Sequence, residues 1–194
     1  IQEGFDTPES RSLRTLAYKN LLMAEKTTRI RGVFSPSIVC TDFDMDSVRE
    51  YLCQLESANM YVHPYGGKIF EFDIFPVYRN FCDTSIPSSG LFIDHFFSPG
   101  ALRKLSRGVL PSEPDLFRYS IYQELSVDRT RCEILLKTNA TFGPLQQPLS
   151  LKKQYSFRNE GIQVQYILKN ESPLKLTGIF VTELDISLLN GKKN

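Results

Sequence analysis

Acidic side chains are concentrated in one short stretch of the sequence. Its four carboxylates belong to Asp42, Asp44, Asp46 and Glu50. Clustered carboxylate oxygens are the ligands that Ca²⁺ prefers, and carboxylates this close repel one another unless a cation or a donor lies nearby. The spacing departs from an EF-hand loop, because Ser47 stands where that loop needs glycine and Cys53 where it needs a bidentate glutamate. The stretch is therefore a candidate calcium site, and the favoured alternative is an exposed turn before a strand.

A second pair of carboxylates lies further along the chain. Glu71 and Asp73 alternate with apolar residues, which predicts one strand face and a separation of roughly 6 to 7 Å. Two carboxylates are the catalytic groups of glycoside cleavage, but they must flank the scissile bond, whereas side chains on one strand face point the same way. The favoured interpretation of this pair is a solvated strand face.

The sequence contains only two histidines, so a mechanism that needs several is excluded. His95 follows Asp94, but neighbouring strand residues point to opposite faces, so Asp94 does not orient it. His63 lies in a segment that ends in Gly66 and Gly67, which predict a hairpin turn. No nucleophile elbow and no phosphate-binding glycine pattern occurs, so nothing in the sequence requires an active site.

Sugar-binding surfaces use flat aromatic side chains with a few well-placed polar groups. Tryptophan is absent, so the aromatic candidates come from the nine tyrosines, although many rings will simply fill the core. The stacking candidates among them are Tyr61, Tyr65, Tyr78, Tyr119 and Tyr122. The residues selected as candidate carbohydrate ligands are Tyr61, His63, Tyr65, Glu71, Asp73 and His95.

Composition limits the partners of the protein. Twenty-three Lys and Arg balance 22 Asp and Glu to a net charge of +1, with no long run of one sign, so we expect no nucleic-acid partner. No apolar stretch approaches the roughly 18 residues of a membrane span, and no targeting signal opens the chain, so we expect a soluble, cytoplasmic protein without a membrane partner. Four scattered cysteines predict free core thiols rather than a zinc or redox site. A homo-oligomer remains possible.

Hydrophobic periodicity predicts one helix and many strands. Pro8 to Lys26 has apolar residues three and four apart, and the chain after residue 31 alternates with period two. The predicted strands are Tyr51 to Leu55, Asn59 to His63, Lys68 to Phe75, Phe117 to Val127, Cys132 to Phe142, Ser150 to Arg158, Ile162 to Asn170 and Leu176 to Ser187. Pro87 to Pro114 is predicted to be irregular, with a turn at residues 96–100 and a short helix from Ala101 to Arg107.

Short turns between long strands predict a mostly β fold, an antiparallel β-sandwich with a short N-terminal helix. We divide the chain into a helical leader, residues 1–31, and a sandwich domain, residues 32–194. Because residue 1 is Ile rather than Met, we expect this chain to be a piece of a longer protein.

An ordered series of motifs runs along the chain. It comprises Asp42 to Glu50, Met60 to Gly67, Lys68 to Asp73, Asn80 to Thr84, Gly90 to Phe96 and Phe180 to Asp185. In this order they resemble the C-terminal β-sandwich of α-amylases and 4-α-glucanotransferases of glycoside hydrolase family 57. The chain departs from the family pattern at Ser47, where glycine is expected, and at Phe72, where leucine is expected.

The resemblance implies a galactose-mutarotase-like supersandwich in a multidomain enzyme acting on α-1,4-glucans. The catalytic carboxylates of that family lie in an N-terminal barrel that this chain lacks, so no catalytic residue transfers to it. The implied role is a non-catalytic accessory domain that completes or supports the glucan cleft, with the catalytic barrel in the same chain and an α-1,4-glucan as partners. Whether the parent is an amylase, a transferase or an inactive relative stays open.

Two other functions remain compatible with the residues. One is a free-standing aldose epimerase of the mutarotase type, with Glu71, Asp73, Glu183 and His95 as possible acid and base groups. The other is a calcium-stabilised structural module built on the acidic stretch. No cofactor other than this calcium ion is suggested.

Overall fold

The computed structural model describes residues 8–30, 32–83, 89–109 and 115–187, and two α-helices, one short 3₁₀-helix (Phe75–Val77) and eleven strands lie within them. The α-helices are α1 (Pro8–Lys26) and α2 (Pro99–Leu105). The strands are β1 (Ser37–Thr41), β2 (Glu50–Gln54), β3 (Ala58–His63), β4 (Lys68–Ile74), β5 (Arg79–Asn80), β6 (Leu91–Phe97), β7 (Gln123–Asp128), β8 (Glu133–Phe142), β9 (Gln147–Arg158), β10 (Gly161–Asn170) and β11 (Ile179–Leu184).

The strands form two antiparallel sheets. The large sheet has the order β1-β2-β3-β4-β6-β11, with β5 paired to β4, and the small sheet has the order β10-β9-β8-β7. Short hairpins connect most sequential neighbours, which leaves no room for crossover helices and forces antiparallel pairing. The predicted antiparallel β-sandwich with an N-terminal helix is confirmed.

The core lies between the two sheets. Alternate residues of most strands fill it, including Met60 and Val62 from the large sheet and Leu151 and Tyr155 from the small sheet. Because strand side chains alternate, the intervening residues of the large sheet point away from the small sheet. We call that side the outer face of the large sheet, and it carries most of the residues predicted to act in binding.

Helix α1 covers one end of the outer face. Arg14 forms an ion pair with Asp83 at 2.7 Å, and the Asn59 side chain donates to Glu25 at 3.0 Å. Leu22 is the one fully buried apolar side chain among the described residues of the helix. Polar contacts therefore hold much of α1 against the large sheet, and the predicted boundary between leader and sandwich at residue 31 stays a prediction.

The prediction of an irregular middle segment is wrong between residues 91 and 97. This part of the chain is β6, which lies between β4 and β11 in the large sheet. Six of its seven residues are buried, because the strand is covered on both faces, so it lacks the alternation that marks a half-buried strand. The predicted turn at residues 96–100 is wrong as well, because Ser98 caps α2, which begins at Pro99.

Other strands differ from prediction mainly at their ends. β1 was not predicted, β7 begins at Gln123 rather than Phe117, and β11 covers only Ile179–Leu184. The predicted hairpin turn between β3 and β4 is confirmed. Gly67 has a φ of +54°, and a Cβ there would lie 2.9 Å from the Tyr122 ring, so only glycine fits this turn without strain.

The four cysteines are free, as predicted. Cys53, Cys82 and Cys132 are buried and Cys40 is half-buried. Among the described residues, neither helix is both long and apolar enough to cross a lipid bilayer.

Candidate functional site

The acidic stretch forms a loop between β1 and β2 that folds over the edge of the outer face. Asp44, Asp46, Glu50 and His63 each direct one potential ligand atom into this loop, and those atoms lie within 4.8 Å of one another. The register of the β2–β3 hairpin brings His63 into this cluster. Tyr51 lies opposite Val62, so the next pair along the hairpin is Glu50 and His63. The predicted carboxylate cluster therefore contains a histidine that sequence analysis assigned to sugar binding.

Glu50 and His63 are the buried members of this cluster. Glu50 is fully buried, and its Oε2 accepts a hydrogen bond from the backbone N–H of Phe43 at 2.6 Å. His63 Nε2 lies 3.1 Å from Asp46 Oδ2, 3.6 Å from Glu50 Oε1 and 3.9 Å from Asp44 Oδ2. One imidazole nitrogen thus faces three carboxylates.

Asp42 does not join the cluster. Its Oδ2 accepts a hydrogen bond from the backbone N–H of Ser47 at 3.2 Å, which shapes the loop from the other side. Ser47 has a φ of +73°, so the left-handed conformation suited to the expected glycine is present even though serine occupies the position. The predicted ligand set is therefore brought together for three of its four carboxylates.

A second polar cluster lies on the outer face, around the other histidine. His95 Nδ1 lies 2.5 Å from Asp115 Oδ2, and Nε2 lies 2.9 Å from Glu183 Oε2. Arg118 donates to the same Glu183 oxygen at 2.8 Å. Burial alone would lower the pKa of His95, but the hydrogen bonds and charges of Asp115 and Glu183 outweigh it and raise the pKa. Carboxylates at both ring nitrogens favour the imidazolium, with each N–H donating.

Asp94 does not orient His95, as predicted. It points into the core, where Asp94 Oδ2 contacts Lys153 Nζ at 2.8 Å and accepts from the Tyr122 hydroxyl at 2.9 Å. Asp115, Arg118 and Lys153 were not predicted as site residues. Sequence patterns could not identify these residues as partners because they are distant in the chain. Asp115 is 20 residues from His95, and Lys153 is 59 residues from Asp94.

The prediction that Glu71 and Asp73 form a solvated strand face is wrong, because α1 covers them. Asp73 is buried and accepts from the side chains of Asn80 at 2.9 Å and Asn59 at 3.4 Å. Burial and the nearby Asp73 charge raise the pKa of Glu71 to about 8, against a hydrogen bond from Tyr18 that lowers it. Burial likewise raises the pKa of Asp73 to about 6. These carboxyls face a helix rather than an open cleft.

Aromatic rings link the two histidine clusters across the outer face. Tyr61 is buried beneath Phe43, with ring centroids 5.2 Å apart in an edge-to-face arrangement. Tyr65 and Tyr119 are 40% and 57% exposed, and their ring centroids lie 6.3 Å apart. Of the five candidate tyrosines, Tyr65 and Tyr119 present their rings to solvent, whereas Tyr61 and Tyr122 are buried.

Comparison with protein-family models now decides the family. The model described as "Alpha-amylase/4-alpha-glucanotransferase, C-terminal" matches residues 88–194, more than half of the chain. The chain belongs to this family.

The fold agrees with this assignment. The crystal structure of a 4-alpha-glucanotransferase from Thermococcus litoralis superposes with a TM-score of 0.71 at 19% sequence identity. The superposition covers 90% of this chain but only 29% of that protein, so the chain spans less than a third of its length. At this identity the similarity shows the fold alone. No curated protein matches the chain.

Only one of the two histidine clusters lies within the residues matched by the alpha-amylase/4-alpha-glucanotransferase C-terminal family model. His95, Asp115, Arg118 and Glu183 all lie inside the matched region, whereas the acidic loop and His63 precede it. The resemblance found from the sequence motifs is confirmed at the level of the family.

Proposed function

We propose that this chain is a non-catalytic accessory β-sandwich of an enzyme that acts on α-glucans, of the α-amylase or 4-α-glucanotransferase type. The family match over residues 88–194 carries this proposal. A sandwich that corresponds to 29% of a solved glucanotransferase is the size of an accessory domain in a multidomain chain. Its partners are a catalytic domain in the same polypeptide and an α-1,4-glucan, which the sandwich helps to hold.

The chemistry of the described residues supports a non-catalytic role. Glu71 and Asp73 point the same way from one strand and lie under α1, so they cannot flank a glycosidic bond. His95 has both ring nitrogens engaged by carboxylates, so it can exchange a proton with a substrate only when one of these contacts opens.

The outer face of the large sheet supplies the proposed sugar contact. Tyr65 and Tyr119 present neighbouring rings to solvent, and the Arg118 guanidinium lies 5.8 Å from the Tyr119 ring centroid. Arg118 also binds Glu183, so fixed charged groups lie beside the rings. Exposed aromatic faces bordered by a few fixed polar groups are what sugar rings and their hydroxyls require.

Deletion of the segment from the full-length parent enzyme tests the accessory role. We expect the truncated enzyme to lose activity on starch, because its glucan cleft lacks one wall or its catalytic domain loses support. A truncated enzyme that remains folded and fully active would contradict the proposal.

Titration with maltooligosaccharides tests the sugar contact separately. We expect Tyr65→Ala and Tyr119→Ala to weaken binding of maltoheptaose to the full-length enzyme by about ten-fold each, since each removes one exposed stacking surface. Leu145→Ala, which removes an exposed apolar side chain elsewhere, is the matched control. Equal affinities for all three variants would rule out this contact surface.

One observation favours an aldose epimerase as the second candidate. His95 and Glu183, an acid and a base proposed for that reaction, lie 2.9 Å apart on the outer face. Polarimetry of freshly dissolved α-glucose distinguishes the two functions: an epimerase accelerates the change in rotation, and Glu183→Gln abolishes that acceleration. A rate equal to that of buffer would dismiss this candidate.

A further inference from the structure

We infer that the loop between β1 and β2 binds one Ca²⁺ ion through the carboxylates of Asp44, Asp46 and Glu50. The site lies outside the family match and is independent of the proposed role in glucan binding.

The first observation is an oxygen that has no partner. Glu50 is fully buried, and its Oε1 has no hydrogen-bond partner within the described part of the chain. This oxygen points into the cluster, 3.6 Å from His63 Nε2, while Oε2 is already held by the N–H of Phe43. A buried carboxylate oxygen without a donor loses hydration without compensation, and a bound cation restores that loss.

The second observation is the charge balance. Three carboxylates converge on one point, and in the ranges that the structure describes no lysine or arginine forms an ion pair with any of them. His63 is the basic group nearest to them. Like charges this close raise the free energy of the loop unless a cation lies between them.

The hydrogen bonds of His63 indicate which kind of cation fits. The backbone N–H of Tyr65 donates to Nδ1 at 3.0 Å, so Nδ1 carries no proton and the neutral ring carries it on Nε2. An Nε2–H group donates to a carboxylate and cannot coordinate a metal. His63 therefore positions Asp46, and the ligands of the ion are oxygens, which favours Ca²⁺ or Mg²⁺ over Zn²⁺.

Coordination geometry favours Ca²⁺ over Mg²⁺ at this cluster. Oxygens on opposite sides of Ca²⁺ are about 4.6 to 5.2 Å apart, whereas those on opposite sides of Mg²⁺ are about 4.0 to 4.2 Å apart. The three carboxylate oxygens and His63 Nε2 all lie within 4.8 Å of one another, an irregular arrangement that the flexible coordination shell of Ca²⁺ accommodates and the near-octahedral shell of Mg²⁺ does not favour. Asp44 and Asp46 are exposed, so water molecules complete the coordination shell from the solvent side.

Calorimetric titration of the chelator-treated chain with CaCl₂ tests the site. We expect one Ca²⁺ per chain and an increase in Tm of about 5 to 10 °C at a calcium concentration 100 times the dissociation constant. MgCl₂ at the same concentration should give a smaller increase in Tm. Absence of both calcium heat and a calcium-dependent Tm would overturn the inference.

Two variants of the same loop test the ligand assignment. Asp46→Asn removes one ligand charge at an exposed position, and we expect Ca²⁺ affinity to fall at least ten-fold. Asp42→Asn is the matched control, because Asp42 has the same charge in the same loop but bonds to the Ser47 N–H outside the cluster, and we expect its affinity to change less than two-fold. Equal losses of Ca²⁺ affinity in both variants would show that the ion responds to the overall negative charge of the loop rather than to the proposed ligands. An unchanged Ca²⁺ affinity in Asp46→Asn would also overturn the inference.

Discussion

Two neighbouring residues of β6 place charge in opposite environments. Asp94 points between the sheets, where it contacts Lys153, and neither side chain has any exposed surface. His95 points to the outer face, where it contacts Asp115 and Glu183, and Glu183 in turn binds the partly exposed Arg118. The inner pair is fully buried, whereas the outer cluster is partly exposed and contains two groups of each sign. The comparison teaches that burial and the number of charged partners decide how much a charged side chain contributes to the stability of the fold.

The inner pair joins the two sheets at one point. Lys153 Nζ also donates to the backbone carbonyl of Phe92 and lies 5.2 to 5.7 Å from the ring centroids of three tyrosines. Burial lowers the pKa of Lys153 to about 8, although Asp94 acts in the opposite direction. Burial also raises the pKa of Asp94, against the effect of Lys153. Each charge tolerates dehydration only because the other is present.

The largest expected effect comes from removing one member of the inner pair. Lys153→Met leaves Asp94 buried without its cation, and we expect the free energy of unfolding to fall by about 3 to 5 kcal/mol. Urea unfolding at pH 7 measures this loss. Lys152→Met is the matched control, because Lys152 is the half-buried neighbour on the other face of β9, and its cost should stay below about 1 kcal/mol.

A double variant sharpens the interpretation. Lys153→Met combined with Asp94→Leu removes both charges, and we expect it to recover most of the stability lost by the single variant. A double variant no more stable than Lys153→Met would show that the lysine acts through packing rather than through charge.

Substitution of Glu71 tests how much burial under α1 costs a carboxyl on the outer face. Its pKa rises from 4.5 to about 8 in the folded protein, so the folded state binds more protons than the unfolded state between these values. The stability associated with this group is complete below pH 4.5 and is lost as the pH rises to about 8. A half-buried carboxyl keeps part of its hydration, so we expect Glu71→Gln to be more stable than wild type by about 1 to 2 kcal/mol at pH 8.

Thermal unfolding at pH 4.5 and pH 8 measures this difference. The stability advantage of Glu71→Gln should shrink to a few tenths of a kcal/mol at the lower pH, where the wild-type carboxyl is protonated in the folded state and about half protonated in the unfolded state. Glu56→Gln, at an exposed position in the β2–β3 turn, should show no such dependence. A constant difference between wild type and Glu71→Gln would contradict the dehydration by α1.

Substitution of His95 tests how much a charged group with several charged partners on the outer face contributes to stability. Its pKa is raised in the folded protein, so its contribution to stability is complete below the unfolded value of 6.5 and is lost as the pH rises through the folded value. We expect His95→Gln to be about 1 kcal/mol less stable than wild type at pH 5.5, with a smaller difference at pH 9. Urea unfolding at both pH values provides the measurement, and a difference that grows with pH would contradict this assignment.

The alternation of strand side chains was predictable where one face is buried and the other is not. Asp94 and His95 were assigned to opposite faces from adjacency alone, and helix α1 was predicted at both ends. β6 itself was not predicted, because covering both of its faces removes the alternation on which strand prediction depends.

The partners within the clusters were not predictable from sequence. Lys153 follows Lys152, and nothing in that pair indicates that one lysine is fully buried and the other is half-buried. His63 was predictable in principle, since a hairpin register with Tyr51 opposite Val62 brings it to Glu50, but a shift of one residue would face it away. Asp115 approaches His95 through a connection without regular structure, for which periodicity gives no information.

The smallest effect is expected where both charges face water. Asp128 ends β7 and Arg131 lies in the turn that follows; Arg131 Nε and Asp128 Oδ2 are 3.9 Å apart, and the two side chains are 73% and 47% exposed. Water screens this pair and both side chains lose entropy when they meet, so Arg131→Gln should lower the free energy of unfolding by less than about 0.5 kcal/mol. Urea unfolding in 50 mM and 500 mM NaCl measures the residual attraction, which salt should abolish. A loss approaching that of Lys153→Met would contradict the view that dehydration sets the scale, because this pair has the same charges and retains its water.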